Sequence, residues 1–157
     1  MTRVLGVDPG SRRTGWGVVE RRRGRLVGVA ADVIVLDPRA PLADRLEVLY
    51  DELAVLIEEH APSVVAVEDV FFAKFPNAAI KLGHVRGVVL LLAAKRGLKL
   101  AEYAPALVKK TVAGRGAADK KQLGRLVCAM LDLEKIPSAD ATDALAVAIT
   151  HLSATRR

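Results

Sequence analysis

Four acidic residues stand where chemistry could use them: Asp8 closes the apolar run Val4–Val7, Glu68 closes Ser63–Val67, and Asp140 and Asp143 lie three residues apart near the C-terminal end. An acid that ends a strand-like apolar run points to a sheet rim, where α/β proteins present their sites. Residues three apart on a helix share one face, so Asp140 and Asp143 can serve a common ligand. Hard divalent cations prefer carboxylate oxygen, and two of them can drive phosphodiester hydrolysis. Taken singly, each acid also has a bland reading: Asp8-Pro9-Gly10 is a turn sequence, and acids near a helix start are favoured by its dipole. Glu68 fits that reading least, because it interrupts an apolar stretch and a buried carboxylate without a partner is costly.

The chain around these acids is basic. Its 24 lysines and arginines against 18 acids leave a net charge of +6, which suits a phosphate-rich partner. At 157 residues and 52% hydrophobic, it is long enough for one good core and short for two ordinary domains, so a single domain over 1–157 is expected. Cys128 is the lone cysteine; an internal disulfide is excluded, and Val127 and Met130 beside it predict a buried, inert thiol. Met1-Thr2-Arg3 leads directly into a strand-like stretch without a signal pattern, and no apolar run reaches the ~18 residues of a membrane span. A cytoplasmic protein with no membrane partner is expected. His60, His84 and His151 lack a close His or Cys partner at zinc-site spacing, and Trp16 alternates with strand residues, so none is assigned to chemistry.

The elements that must position the acids can be read from periodicity. Val4–Val7 and Gly15–Val19 flank a polar turn and form a hairpin; Arg21 to Gly24 make a second, basic turn, and Arg25 to Val35 alternate as a third strand. Leu42 through His60 carry leucines at helical spacing after Pro41, and a buried strand Ser63–Val67 follows. Ala78 to Ala94 are apolar at nearly every position, more than one core-facing stripe needs, which predicts burial on two sides. A strand at Leu98–Tyr103 and helices at Ala106–Ala113, Asp119–Leu131 and about Ala139–Thr155 complete the chain. The order predicts an α/β fold with one mixed central sheet of five strands flanked by helices.

At the acids and around them the sequence resembles the RuvC family of Holliday-junction resolvases. The resemblance is carried by Val7-Asp8-Pro9-Gly10, Val67-Glu68-Asp69-Val70-Phe71, Lys81-Leu82-Gly83 with Arg86-Gly87, and Ala139-Asp140-Ala141-Thr142-Asp143-Ala144-Leu145-Ala146, and runs from about Val4 to His151. It implies a ribonuclease-H-like fold in which Asp8, Glu68, Asp140 and Asp143 hold two Mg²⁺ ions, with Mn²⁺ able to substitute. It also implies a homodimer that nicks two opposed strands of four-way junction DNA, and a branch-migration helicase complex as partner. Some relatives carry histidine at the position matching Asp140.

Phe71 and Phe72 follow Glu68 in a loop with Lys74, where an exposed ring could stack on an unpaired base for ~1–3 kcal/mol. The residues alone allow a core role for one of the two; the resemblance selects Phe71 as the base-contacting wedge and leaves Phe72 without a role. It also places Lys109 and Lys120 near DNA phosphate, with Lys110 and Lys121 adjacent in either register. Between them Ala113-Gly114-Arg115-Gly116-Ala117 reads as a turn that could approach phosphate or could simply end a helix.

Three other functions compete. An actin-like ATPase would share the Asp8-Pro9-Gly10-Ser11 hairpin, but clamps nucleotide between two domains. A ribonuclease-H-like nuclease for structured RNA would share Asp8-Pro9-Gly10 but not the Asp140/Asp143 segment. A non-catalytic junction-binding module would have no use for four intact acids.

Overall fold

The computed structural model describes residues 2–69, 75–114 and 119–155. Strands β1 (Arg3–Asp8), β2 (Arg13–Arg22) and β3 (Arg25–Val35) form an antiparallel meander, and β4 (Val64–Glu68) and β5 (Lys99–Tyr103) extend the sheet in parallel on the other side of β1. The spatial order is β3-β2-β1-β4-β5. Helices α1 (Leu42–His60), α2 (Pro76–Lys95), α3 (Pro105–Ala113), α4 (Lys120–Leu131) and α5 (Ala139–Ala154) follow the boundaries read from the sequence to within three residues. The β2–β3 turn is made by Arg23 and Gly24 with φ of 48° and 83°, the two positive-φ residues a tight hairpin needs to match the strand twist.

Strand alternation divides the apolar residues between two cores. Val4 and Ala66 face one side, where Val108, Val127, Leu145 and Ile149 bring in α3, α4 and α5; Leu5, Val7, Val65 and Val67 face the other, where Leu49, Leu53, Val85 and Val89 bring in α1 and α2. Helix α5 is buried at nearly every position from Ala141 to Leu152, and Asp143 is the exception. It reaches the sheet so closely because β1 and β2 meet it with glycines: a methyl group on Gly6 would overlap the carbonyl oxygen of Ala144, and one on Gly15 that of Asp140.

Glu20 is fully buried at the opposite end of β2. Burial would raise its carboxyl, but ion pairs with Arg3 at 2.7 Å and with Arg22 outweigh it and hold the group below its usual range. His151 is also buried, and the Tyr103 hydroxyl lies 2.7 Å from its Nδ1, so this histidine has a core role.

Among the described residues, helix α2 is covered on one side: Val85, Val89, Leu92 and Ala93 are buried, whereas Ile80 and Leu91 are exposed and Gly83 and Gly87 face open space. Cys128 is half-buried rather than buried, because it sits in the last turn of α4 beside an open groove with Arg125 and Ile136, its thiol donating to the Leu133 carbonyl at 3.1 Å.

Candidate active site

β1 and β4 run side by side in parallel, with Val7 opposite Val67, so the next residues, Asp8 and Glu68, emerge together at one rim of the sheet. Helix α5 starts over the same rim. Ser138 caps it by accepting from the Ala141 amide at 3.3 Å, and Asp140 and Asp143 follow within the first two turns. The close approach at Gly15 sets the first turn of α5 directly on β2, so the strand ends and the helix start bring the four acids into one electrostatic neighbourhood.

Their charges act on one another. The Asp8 carboxyl is pushed up to about 7, first by burial and then by Asp143, Asp140 and Glu68, against a weaker pull from Lys120. Glu68 is raised by burial and by Asp143, and Asp143 by burial and by Asp140, with Lys109 and Lys120 opposing. Several carboxylates held close in a partly dry site cannot all ionise freely, and that unfavourable arrangement is typical of functional centres rather than of structural ones.

An open cleft of ≈ 520 Å³ lies between this rim and the α3–α4 region. Its lining includes the acids Glu68 and Asp143, Lys109 of α3 and Lys120 of α4, and the apolar Val108 and Leu123. Asp8 and Asp140 lie outside the cleft lining. Asp140 is turned aside onto Arg13, Nε to Oδ2 2.9 Å. As the side chains stand, no three acids, histidines or cysteines among the described residues converge tightly enough to ligate an ion. The donor set nevertheless suits a hard divalent cation: it is all carboxylate oxygen, and the repulsion that raises Asp8, Glu68 and Asp143 is what a bound cation would relieve.

The family model for crossover junction endodeoxyribonuclease RuvC matches residues 4–151, a span that includes all four acids. This chain belongs to the RuvC family. Over 152 residues it is 53% identical to the crossover junction endodeoxyribonuclease RuvC of Sorangium cellulosum, covering 97% of this chain and 85% of that one. It superposes on T. thermophilus RuvC in complex with a Holliday junction substrate with a TM-score of 0.87 at 29% identity, covering 97% and 93% of the two chains. The yeast mitochondrial Holliday junction resolvase shares the fold at 15% identity, with a TM-score of 0.70 over 95% of this chain and 77% of that one. The architecture is therefore the expected ribonuclease-H-like α/β fold.

Of the residues singled out for DNA contact, Lys109 and Lys120 line the cleft, whereas Phe71, Phe72, Lys74 and Arg115 lie outside the described residues. Two arginines at the site were given no role from the sequence, although Arg86 belongs to a segment that carries the family resemblance. Arg13 holds Asp140 across 127 positions of sequence, and nothing local in the Ser11–Thr14 turn signals it. Arg86, on α2, donates through Nη1 to the Glu68 carbonyl at 2.6 Å and through Nη2 to Glu102 at 2.6 Å, with its side chain only 14% exposed. A cation in an otherwise apolar helix was its signal, and its work is to fix the end of β4 from which Glu68 projects.

Arg86→Met is therefore expected to cost about 1–3 kcal/mol of stability, because the Glu68 carbonyl loses its donor and Glu102 its partner. Urea unfolding measures this, and Arg86→Lys should recover less than half of the loss because one ammonium lacks the planar fork that meets both acceptors.

Proposed function

We propose that this protein is a structure-selective endonuclease that resolves four-way DNA junctions by paired, symmetric phosphodiester hydrolysis dependent on divalent cations, Mg²⁺ in the first place. The single observation that carries the reading is the set of four acids gathered by β1, β4 and α5, with the carboxyls of Asp8, Glu68 and Asp143 raised by burial and by neighbouring acids, within a chain of the RuvC family. The names of the relatives give the substrate class.

In this reading Asp8, Glu68, Asp140 and Asp143 hold the cations. Bound divalent ions supply Lewis-acid charge that stabilises the negative charge building on the phosphate and on the leaving oxygen. Without a cation the clustered carboxylates would repel DNA phosphate, and Arg13 pairs with Asp140. Lys109 and Lys120, which line the cleft with Glu68 and Asp143, meet the phosphodiester backbone and orient it against the acids. Phe71, following Glu68, is assigned the stacking contact with an unpaired base. The protein works in the cytoplasm beside a branch-migration helicase complex.

Paired cleavage needs two sites, and the open face of α2 supplies the means: Ile80 and Leu91 are exposed beside Gly83 and Gly87, which permit close helix approach. A homodimer joined there is expected to sediment as two chains at micromolar concentration, and Leu91→Glu to sediment as one. A wild-type monomer would contradict this.

The substrate reading is tested by incubating the protein with Mg²⁺ and three substrates: a synthetic four-way junction, linear duplexes of the same sequences, and a structured RNA. Nicks confined to the junction support it. Cleavage of the RNA at an equal or higher rate would favour the ribonuclease alternative.

A further inference from the structure

The described cations at the acidic rim are few. Lys109, Lys120 and Arg13 face four acids there, and Arg86 is largely buried and engaged with the Glu68 carbonyl and Glu102, so the rim by itself offers little attraction to a polyanion. The charge is concentrated elsewhere. Glu20 to Arg25, the tip of the β2–β3 hairpin, contain four arginines against one glutamate, a net +3 and half of the chain's +6. Glu20 does not offset them outward, because it is buried and already paired with Arg3 and Arg22. Arg21 is tied down by bonds to the carbonyls of Leu152 and Gly24. Arg23 and Arg25 are exposed and have no hydrogen-bond or ion-pair partner among the described residues. Asp132, at the end of α4, borders the cleft it shares with Gly24 and Arg25.

The tip lies at the end of the sheet away from the acids. β2 begins at Arg13, beside Asp140, and runs ten residues to Arg22. At ~3.4 Å per residue this separates the two ends by about 30 Å, close to one helical turn of B-form DNA at about 34 Å. Arg12 and Arg13 stand exposed at one end of the strand and Arg22, Arg23 and Arg25 at the other, along the edge of the sheet that β3 closes. A duplex lying along that edge would meet arginines at positions one turn apart, where the same phosphate strand returns to face the protein. Arginine suits this contact, since its planar fork binds phosphate in two-point fashion.

We propose that the Arg21–Arg25 hairpin is a second DNA-contact surface, which grips the phosphate backbone of a junction arm about one helical turn from the point of cleavage. This rests on the junction-resolving reading, and it adds that arm length sets affinity.

The test compares junctions with arms of about 8 and about 25 base pairs, which end before and beyond one turn from the crossover. Wild-type protein and the double variant Arg23→Asn, Arg25→Gln are used without divalent ions for binding and with Mg²⁺ for nicking. Asparagine is chosen at position 23 because it tolerates the positive φ of the turn. The variant is expected to bind the long-armed junction about tenfold more weakly than wild type, with a salt dependence shallower by about 1–2 in log–log slope. Its binding to the short-armed junction, its nicking rate at saturating protein and its melting temperature should all be unchanged. Equal affinity of both proteins for the long arms would overturn the proposal, as an acidic protein partner for this hairpin would predict. Equal weakening on both arm lengths would also overturn it. Absence of nicking on any junction by wild type would instead strike the proposed function, which separates the two failures.

Discussion

Asp8→Asn is expected to remove junction nicking by at least ~10³-fold while raising the stability of the metal-free protein at neutral pH. The first effect follows because the amide keeps the shape of the side chain but loses the charge that holds a cation worth several kcal/mol to the transition state. Junction binding in the absence of divalent ions should persist or tighten, since one repulsive charge is gone. The second effect follows from the raised carboxyl. Folded Asp8 titrates at about 7 against an ordinary 3.8, so between these pH values the folded chain binds the extra proton. Stability is therefore lost as pH rises through that window, by on the order of 2–4 kcal/mol when complete. Asparagine removes the penalty, so the variant should be the more stable protein at pH 8 and gain nothing below pH about 4. Glu68 and Asp143 are raised too, and Glu68→Gln and Asp143→Asn should act in the same direction on both readouts. Urea unfolding across pH in chelator measures the stability arm; lower stability of Asp8→Asn at pH 8 would show that the acids serve as caps and turns.

Gly6→Ala is expected to cost about 3 kcal/mol or more, the upper end of what overpacking does, because the added methyl meets a backbone carbonyl that no side-chain rotation can clear. The carbonyl belongs to Ala144 on α5, next to Asp143. Relief requires α5 to move off the sheet and take Asp140 and Asp143 with it, so nicking by the folded fraction should fall as well. Both are read on one preparation, by urea unfolding and by single-turnover cleavage under native conditions. A fold as stable as wild type would mean that α5 and β1 are not held at the distance argued here.

What could be read in advance follows from how local each signal is. Asp8 and Glu68 each end an apolar run, so their place at a strand end was legible within a few residues. Asp140 and Asp143 could be put on one helix face by spacing alone. The partners that tune them were not legible: Arg13 to Asp140 and Arg86 to the Glu68 carbonyl are contacts across the fold, made by residues whose neighbours in sequence say nothing of the other partner. The glycines that admit α5 show the same limit, since Gly6 and Gly15 read as strand residues until the helix packed on them is known. For α2 the excess of apolar residues was plain in the sequence, but which side this chain covers was decided by packing against α1 and the sheet. Cys128 shows the converse, because apolar neighbours do not bury a thiol that lies in the last turn of a helix beside a groove.

The acids of β1, β4 and α5 are expected to form a cation-dependent centre for cutting junction DNA. Its most direct test follows nicking of one labelled four-way junction by wild type and by Asp8→Asn, each with Mg²⁺ and with chelator. Wild type with Mg²⁺ is predicted to produce paired nicks at symmetric positions on opposed strands, and the other three combinations none. Equal cleavage in chelator, or near-normal cleavage by Asp8→Asn, would contradict the account.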